Sequence, residues 1–215
     1  MTTRTIVFDL DDTLIKEFDY LKSAFYEIAQ QIDVINTESI YKKMLLWYKQ
    51  KENVFQNILK EYSNLDLSQL KSIYRNHFPK FENTESVREL LQYLSNKKYK
   101  IGIITDGYSI TQRNKIKALD IEPILDLIII SEEFGQEKPS FSNYEVFHQF
   151  NTDEYYYIGD NFNKDFIAPN QLKWNTIALL DNGFNIHTQN FNLDKKYLPQ
   201  VTINKLSDLK KILDE

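Results

Sequence analysis

Ile6-Val7-Phe8-Asp9-Leu10-Asp11-Asp12-Thr13-Leu14 is the stretch that decides the fold. An apolar run, Ile6-Val7-Phe8, stops abruptly at three acids, Asp9, Asp11 and Asp12. A short buried strand accounts for the run, and its end places the acids at one edge of a sheet. Clustered carboxylates repel, so such an edge costs stability unless a positive charge offsets it. A divalent cation is the simplest offset, because Mg²⁺ prefers carboxylate and carbonyl oxygens. Taken alone, the segment also reads as a strand followed by an acidic turn, since Asp is common in turns.

Further short apolar runs follow at residues 100–105, 127–131, 155–159, 176–180 and 201–203, with the first run spanning 5–8. None alternates with polar residues, which indicates strands buried on both faces, as in a parallel sheet. Helical patterns occupy 84–96, 109–119, 141–150, 169–173 and 207–213; the first carries Val87, Leu90, Leu91 and Leu94 at helical spacing. Strand–helix alternation implies an α/β fold, a Rossmann-like parallel sheet with helices on both faces and right-handed crossovers. The gap between Leu14 and Glu82 shows no strand. Four helical patterns fill it, on Ala24, Phe25, Ile28, Ala29 and Ile32; Ile40, Met44, Trp47 and Tyr48; Val54, Ile58, Leu59 and Tyr62; and Leu67, Leu70, Ile73 and Tyr74. An insertion of roughly 65 residues can form its own bundle. The expected division is a core of 1–14 and 83–215 with a helical cap of 15–82, placed as a lid over the acidic edge. Residues 182–192 are polar and Asn-rich and are expected to form a surface loop.

Four segments carry the chemistry, and each ends or closely follows an expected strand. Ligands of open α/β sheets bind at the carboxyl ends of the strands, so these segments can converge. In an extended chain Asp9 and Asp11 share a face, which suits a nucleophile and a general acid–base. Thr105-Asp106-Gly107 offers a hydroxyl and backbone N–H groups as a small anion cradle, and equally reads as a turn. Lys138 precedes Pro139, which restricts it toward extended conformations and gives it a defined direction. Gly159-Asp160-Asn161-Phe162-Asn163-Lys164-Asp165 supplies two more acids from one loop, Asp160 to ligate a cation and Asp165 to support it.

In this order, and with the helical insertion after the first, the four segments resemble the haloacid dehalogenase superfamily. Its members are mostly phosphohydrolases, and the likeness is to those with an all-helical C1-type cap. The resemblance runs from about Thr5 to Leu180. It implies that Asp9 takes the phosphoryl group and that Asp11 protonates the leaving oxygen and then activates water. It implies phosphate binding by Thr105, Lys138 and the backbone amides near Leu10 and Asp106. It implies Mg²⁺ held by Asp9, Asp160 and the Asp11 carbonyl, with Asp165, Gly107 and Asn161 in support. Ser140 and Phe141 stand where the family usually has an acid and a second proline, and Ala168, Pro169, Lys173 and Trp174 replace its common small residues. The catalytic set is untouched by these departures.

The expected activity is Mg²⁺-dependent hydrolysis of a small phosphorylated metabolite through an aspartyl phosphate. Asp11 separates it from the superfamily's dehalogenases, which use neither that acid nor the metal. The alternatives are a phosphomutase on a sugar phosphate, with His77 as a cap residue to consider, a receiver-like phosphoaspartate domain, or a member that binds without catalysing. Candidate substrate contacts are Glu17, Phe18, Tyr20 and Lys22 at the start of the cap, and Tyr108. Tyr26, Trp47, Tyr48 and Phe55 could stack on a base or sugar, although aromatic residues at this spacing more often form core.

Composition bounds the rest. The 215 residues suit one domain with an insertion, and a net charge of −5 argues against general affinity for nucleic acid. With no cysteine, disulfides, thiolate nucleophiles and Cys-based zinc sites are excluded. His77, His148 and His187 are too scattered for a His-rich metal site. No run reaches the roughly 18 apolar residues of a membrane helix, and the start of the chain leads straight into the first strand. No membrane partner and a cytoplasmic location are therefore expected. Nothing in the pattern specifies an oligomeric state.

Overall fold

The computed structural model describes residues 2–62 and 64–214. Six parallel strands form one sheet: β1 (Arg4–Phe8), β2 (Lys100–Thr105), β3 (Leu127–Ile130), β4 (Glu154–Gly159), β5 (Asn175–Leu179) and β6 (Val201–Ile203). Their order is β3-β2-β1-β4-β5-β6, so the chain builds outward on one side of β1 and then crosses to the other. The crevice at such a reversal, beyond the carboxyl ends of the strands, is where open α/β sheets bind ligands.

Both faces of the sheet are covered. Ile6, Phe8, Ile101, Ile103, Ile158 and Ile177 join one apolar cluster, and Val7, Ile104, Tyr157 and Ala178 join another. Successive residues of a strand thus enter opposite cores, which is why the strands read as unbroken apolar runs. On the first face lie α5 (Glu85–Asn96), α6 (Ser109–Ala118) and α10 (Leu209–Asp214); on the second lie Tyr144, Phe147, Phe166, Ala168 and Trp174. The second face is lined by shorter helices, α8 (Ser142–Glu145) and α9 (Ile167–Gln171), while α7 (Ser131–Phe134) follows β3 directly.

Between β1 and α5 run α1 (Glu17–Ile32), α2 (Thr37–Lys49), α3 (Val54–Glu61) and α4 (Leu67–Asn76). They share a separate apolar cluster of Leu21, Phe25, Ile28, Ala29, Ile40, Met44, Val54, Ile58 and Leu70. A capping box closes the start of α4, with Asp66 and Gln69 each accepting the other's backbone N–H at 2.8 Å. Among the described residues no helix is long and apolar enough to cross a membrane.

The strand limits differ from expectation by one residue at most. Ser131 opens α7 rather than ending β3, and its hydroxyl accepts the Gly107 N–H at 2.9 Å. The helix expected over 141–150 is α8 followed by a 3₁₀ segment, Val146–Phe150. Tyr144 on α8 and Phe147 on the 3₁₀ segment both enter the core. Helix α9 starts two residues before Pro169, because a proline in the first turn has no N–H that the helix would use. A 3₁₀ turn, Leu206–Asp208, precedes the last helix.

Candidate active site

Register sets the site. Phe8 pairs with Ile103 on one side and Ile158 on the other, so Asp9 lies level with Gly159, one residue before Asp160. The Asp9 N–H continues the ladder to the Ile158 carbonyl at 2.8 Å. The strand conformation then ends. The Leu10 carbonyl accepts N–H groups from Leu14 and Ile15, and Asp12 has φ of 56°. Asp11 is therefore not placed by strand alternation, contrary to the extended reading. Its carboxylate turns to Lys115 and Gln112, while that of Asp9 turns to Lys138. Both acids still line one cavity of about 250 Å³ with Thr105, Lys138, Asp160 and Asn161. The Leu10 side chain is buried in the core below.

Lys138 Nζ lies 2.6 Å from Asp9 Oδ1, 2.7 Å from Asp165 Oδ1 and 3.3 Å from Tyr157 Oη. Burial disfavours its charge, yet Asp165 and Asp9 hold the ammonium well above its ordinary range. Its direction is fixed by its own N–H, which donates to Asp106 Oδ1 at 3.0 Å. Asp106 Oδ2 receives Lys164 Nζ at 2.9 Å. Asp165 Oδ2 accepts the N–H groups of Asp160 and Asn161 at 3.1 and 2.9 Å, which folds the loop around it. A Cβ on Gly159 would stand 2.4 Å from that same oxygen, so only glycine permits the approach.

Thr105, buried at the end of β2, accepts a hydrogen bond from Gln112 and keeps its own hydroxyl proton free to donate. Gly107 turns the chain with φ of 138°, a conformation that favours glycine. Its N–H is spent on Ser131, so the expected cradle has one amide fewer.

The Asp9, Asp160 and Asp165 carboxylates each place an oxygen within 4.8 Å of the other two. Burial, reinforced by Asp165 and Asp11 and opposed by Lys138, pushes the Asp9 carboxyl up to about 8. Burial and the charges of Asp9, Asp165 and Asp12 push Asp160 up to about 9. One lysine against three buried acids leaves a negative surplus, and an oxygen-seeking divalent cation fits it. Asp165 is already engaged by two amides, Lys138 and Tyr157. Asp9 Oδ2 and Asp160 Oδ1 make no hydrogen bond among the described residues and are the available ligands. The Asp11 side chain lies outside this trio.

A stability prediction follows from the sign of these shifts. Carboxyls raised in the folded state bind protons that the unfolded chain has released, so the contribution of Asp9 and Asp160 to stability is greatest below about pH 4 and is lost as pH rises through about 8 to 9. Mg²⁺ bound at these acids would replace those protons. At about 100 times its dissociation constant it stabilises by about 2.7 kcal/mol, raising Tm by roughly 5–10 °C. Thermal denaturation with and without Mg²⁺ at about pH 5.5 and 8.5 is expected to show the larger shift at the higher pH. Equal shifts at both would dissociate the cation from these acids.

Lys115 and Gln112 on α6 were not singled out from the sequence. Lys115 Nζ is 2.7 Å from Asp11 Oδ1 and 2.5 Å from Glu17 Oε2, and Gln112 Nε2 is 2.8 Å from Asp11 Oδ2. Burial alone would raise the Asp11 carboxyl, but Lys115 and hydrogen bonds from Glu17 and Gln112 hold it below the ordinary range. Glu17 is pushed up to about 8 by burial and by Asp11. Residues 182–192 also do more than cover surface. Asn185 Nδ2 donates to Asp160 Oδ2 at 2.8 Å, Gln189 Nε2 to the Asp160 carbonyl at 3.0 Å, and the Ile186 N–H to Asp12 Oδ2 at 2.8 Å. His187 lines the cavity. The Asp181 carboxylate, accepting three successive N–H groups from Gly183 to Asn185, shapes the turn.

The expected cap contacts divide. Glu17 lines the reaction cavity, and both Tyr20 and Tyr108 line an adjoining cleft. Phe18 stacks on Tyr48 and Phe184 with centroids 5.7 and 6.4 Å away. Lys22 pairs with Asp19 at 2.7 Å and faces an outer groove, held there by the i,i+3 spacing. His77 and Tyr26 line that groove too, while Phe55 lines the cleft and Trp47 and Tyr48 pack in the helical cluster.

A model of the haloacid dehalogenase-like hydrolases matches residues 6–179. The glyceraldehyde 3-phosphate phosphatase of Methanocaldococcus jannaschii is 28% identical over 228 residues, covering 95% of this chain and 94% of its own. The protein of the same name from Methanothermobacter thermautotrophicus is 29% identical over 62% of this chain and 58% of its own. Among solved structures, the HAD-hydrolase YfnB of Bacillus subtilis, bound to magnesium, superposes with a TM-score of 0.66 at 19% identity, covering 100% of both chains. A HAD phosphatase from Thermococcus onnurineus gives 0.61 at 18% identity, covering 98% of each. With the family model spanning most of the chain, the protein belongs to the haloacid dehalogenase-like hydrolase family.

Proposed function

We propose that this hydrolase is a Mg²⁺-dependent phosphatase that releases phosphate from a small phosphorylated metabolite through an aspartyl phosphate on Asp9. The observation that carries the reading is the single cavity lined by Asp9, Asp11, Thr105, Lys138 and Asp160. Two acids in different electrostatic settings, one hydroxyl and one buried ammonium are what phosphoryl transfer requires for positioning and charge neutralisation. The phosphatase names of the curated relatives support it.

An Asp9 carboxylate oxygen attacks phosphorus while the bond to the leaving oxygen breaks. Lys138, 2.6 Å from Asp9, and the Thr105 hydroxyl hold the phosphoryl oxygens. Glu17 keeps a proton at neutral pH and shares Lys115 with Asp11, so the cluster has a proton for Asp11 to pass to the leaving oxygen. Asp11, ionised again, then takes a proton from the water that attacks phosphorus, and the bond to Asp9 breaks. Asp9, Asp160 and the Asp11 carbonyl would hold Mg²⁺, which when bound offsets the charge between nucleophile and phosphoryl group. Residues 15–82 serve as the cap and 1–14 with 83–215 as the core; the separate apolar cluster of α1 to α4 supports that division. A cytoplasmic enzyme is consistent with the absence of cysteine.

The test is phosphate release from a panel of nucleotide monophosphates, sugar phosphates, triose phosphates and phosphorylated cofactor precursors. Activity on at least one is expected with Mg²⁺, loss with a chelator, and recovery on adding Mg²⁺ back. Isomerised sugar phosphate without free phosphate would point to a mutase instead.

A further inference from the structure

The reaction cavity opens beside a second cleft of about 400 Å³, and Asp11, Glu17 and Asp106 line both. Asp11 is the group that meets the leaving oxygen, so the cleft receives the rest of the substrate. Its cap wall carries Lys71 and Arg75, one turn apart on one face of α4. Neither makes an ion pair among the described residues. The carboxylates in the cleft are spoken for: Asp11 and Glu17 by Lys115, and Asp106 by Lys164, which stands outside it. Two like charges on one helix face with no counter-charge are unfavourable, and a bound anion reverses that.

Arg75 is also held in place. The Arg75 guanidinium lies 3.9 Å from the centroid of the Tyr108 ring, a cation–π contact that orients it. The Arg75 carbonyl accepts the Thr111 hydroxyl at 2.9 Å. Asn114 Nδ2 reaches the carbonyls of Asn76 and His77, each at 3.1 Å. The end of α4 is thus fastened to α6, the helix that presents Lys115 and Gln112 to Asp11. Aromatic side chains, Tyr20, Phe55 and Tyr74, complete the wall.

We propose that the substrate's leaving group carries a second anion, a carboxylate or a second phosphate, which Lys71 and Arg75 bind. This rests on the phosphatase reading and narrows it to phosphomonoesters of anionic alcohols. It departs from the substrate in the relatives' names, since glyceraldehyde 3-phosphate carries no second anion. A guanidinium beside an ammonium suits either anion, because arginine binds both in a two-pronged fashion.

The test compares kcat/KM with Mg²⁺ for 2-phosphoglycolate and 3-phosphoglycerate, a sugar bisphosphate, and two esters of neutral alcohols, glycerol 1-phosphate and glyceraldehyde 3-phosphate. The anionic substrates are expected to be preferred by about 10- to 100-fold, and the two anionic arms tell carboxylate from phosphate. In Lys71→Met and Arg75→Met the ratio of anionic to neutral substrate collapses toward one, mainly through KM, and Arg75→Lys restores part of it. A ratio measured within one protein is insensitive to how much of it is folded. Equal efficiency on both classes in the unaltered enzyme, or a ratio that survives both substitutions, would overturn the second-anion site and leave the phosphatase reading intact. No phosphate from any ester would remove that reading itself.

Discussion

Asp9→Asn is expected to lower turnover of a generic aryl phosphate by on the order of 10⁴-fold or more while leaving the protein folded. The amide has nearly the shape of the carboxyl but no nucleophilic oxygen. Its oxygen can still accept from Lys138, which retains Asp165 at 2.7 Å. Burial already pushes the Asp9 carboxyl up to about 8, so a neutral group there removes repulsion rather than a needed charge. Tm is therefore expected to hold or rise. Steady-state phosphate release and thermal denaturation of the same preparation check both halves. Retained turnover would place the nucleophile elsewhere.

Lys138→Met should also lower activity, though less than Asp9→Asn, and it should damage stability too. Lys138 is buried between Asp9 and Asp165 at 2.6 and 2.7 Å, and no other cation reaches either carboxylate among the described residues. Removing one partner of a buried ion pair costs about 3–5 kcal/mol, a fall in Tm of roughly 6–20 °C for a chain of this size. Mg²⁺ can supply charge beside Asp9 and Asp160 and should recover part of the stability. It cannot supply the ammonium over the phosphoryl oxygens, so activity should stay down by about 10²–10³-fold. Denaturation and phosphate release with Mg²⁺ present separate the two roles. Recovery of both together would reduce Lys138 to a structural counter-ion.

The sheet and most of the reaction cavity were legible because both rest on local contrast. Ile6-Val7-Phe8 meeting Asp9, and Tyr157-Ile158-Gly159 meeting Asp160, mark where a strand buried on two faces ends at the cavity. Parallel register then brings those ends level, a consequence of topology that no single segment contains. Asp11 was identified for a geometric reason that fails, since strand conformation stops at Phe8 and the chain turns at Asp12. Lys115 and Gln112 were missed because α6 inverts the usual pattern. It buries Thr111, Gln112 and Lys115 against the site, and a polar face read from sequence looks solvent-facing. The 182–192 loop hid its role in the same way. Asn185 and Gln189 are ordinary loop residues until the chain returns over Asp160, a contact set by tertiary packing rather than by spacing.

The most direct measurement is to stop the reaction in acid during turnover of a substrate, reduce the protein with borohydride, and map the product by mass spectrometry. An acyl phosphate becomes an alcohol under this treatment, so homoserine is expected at position 9, in a Mg²⁺-dependent amount, and not in Asp9→Asn. Homoserine at another acid, or turnover with none at any, would mean that phosphate is not carried by Asp9.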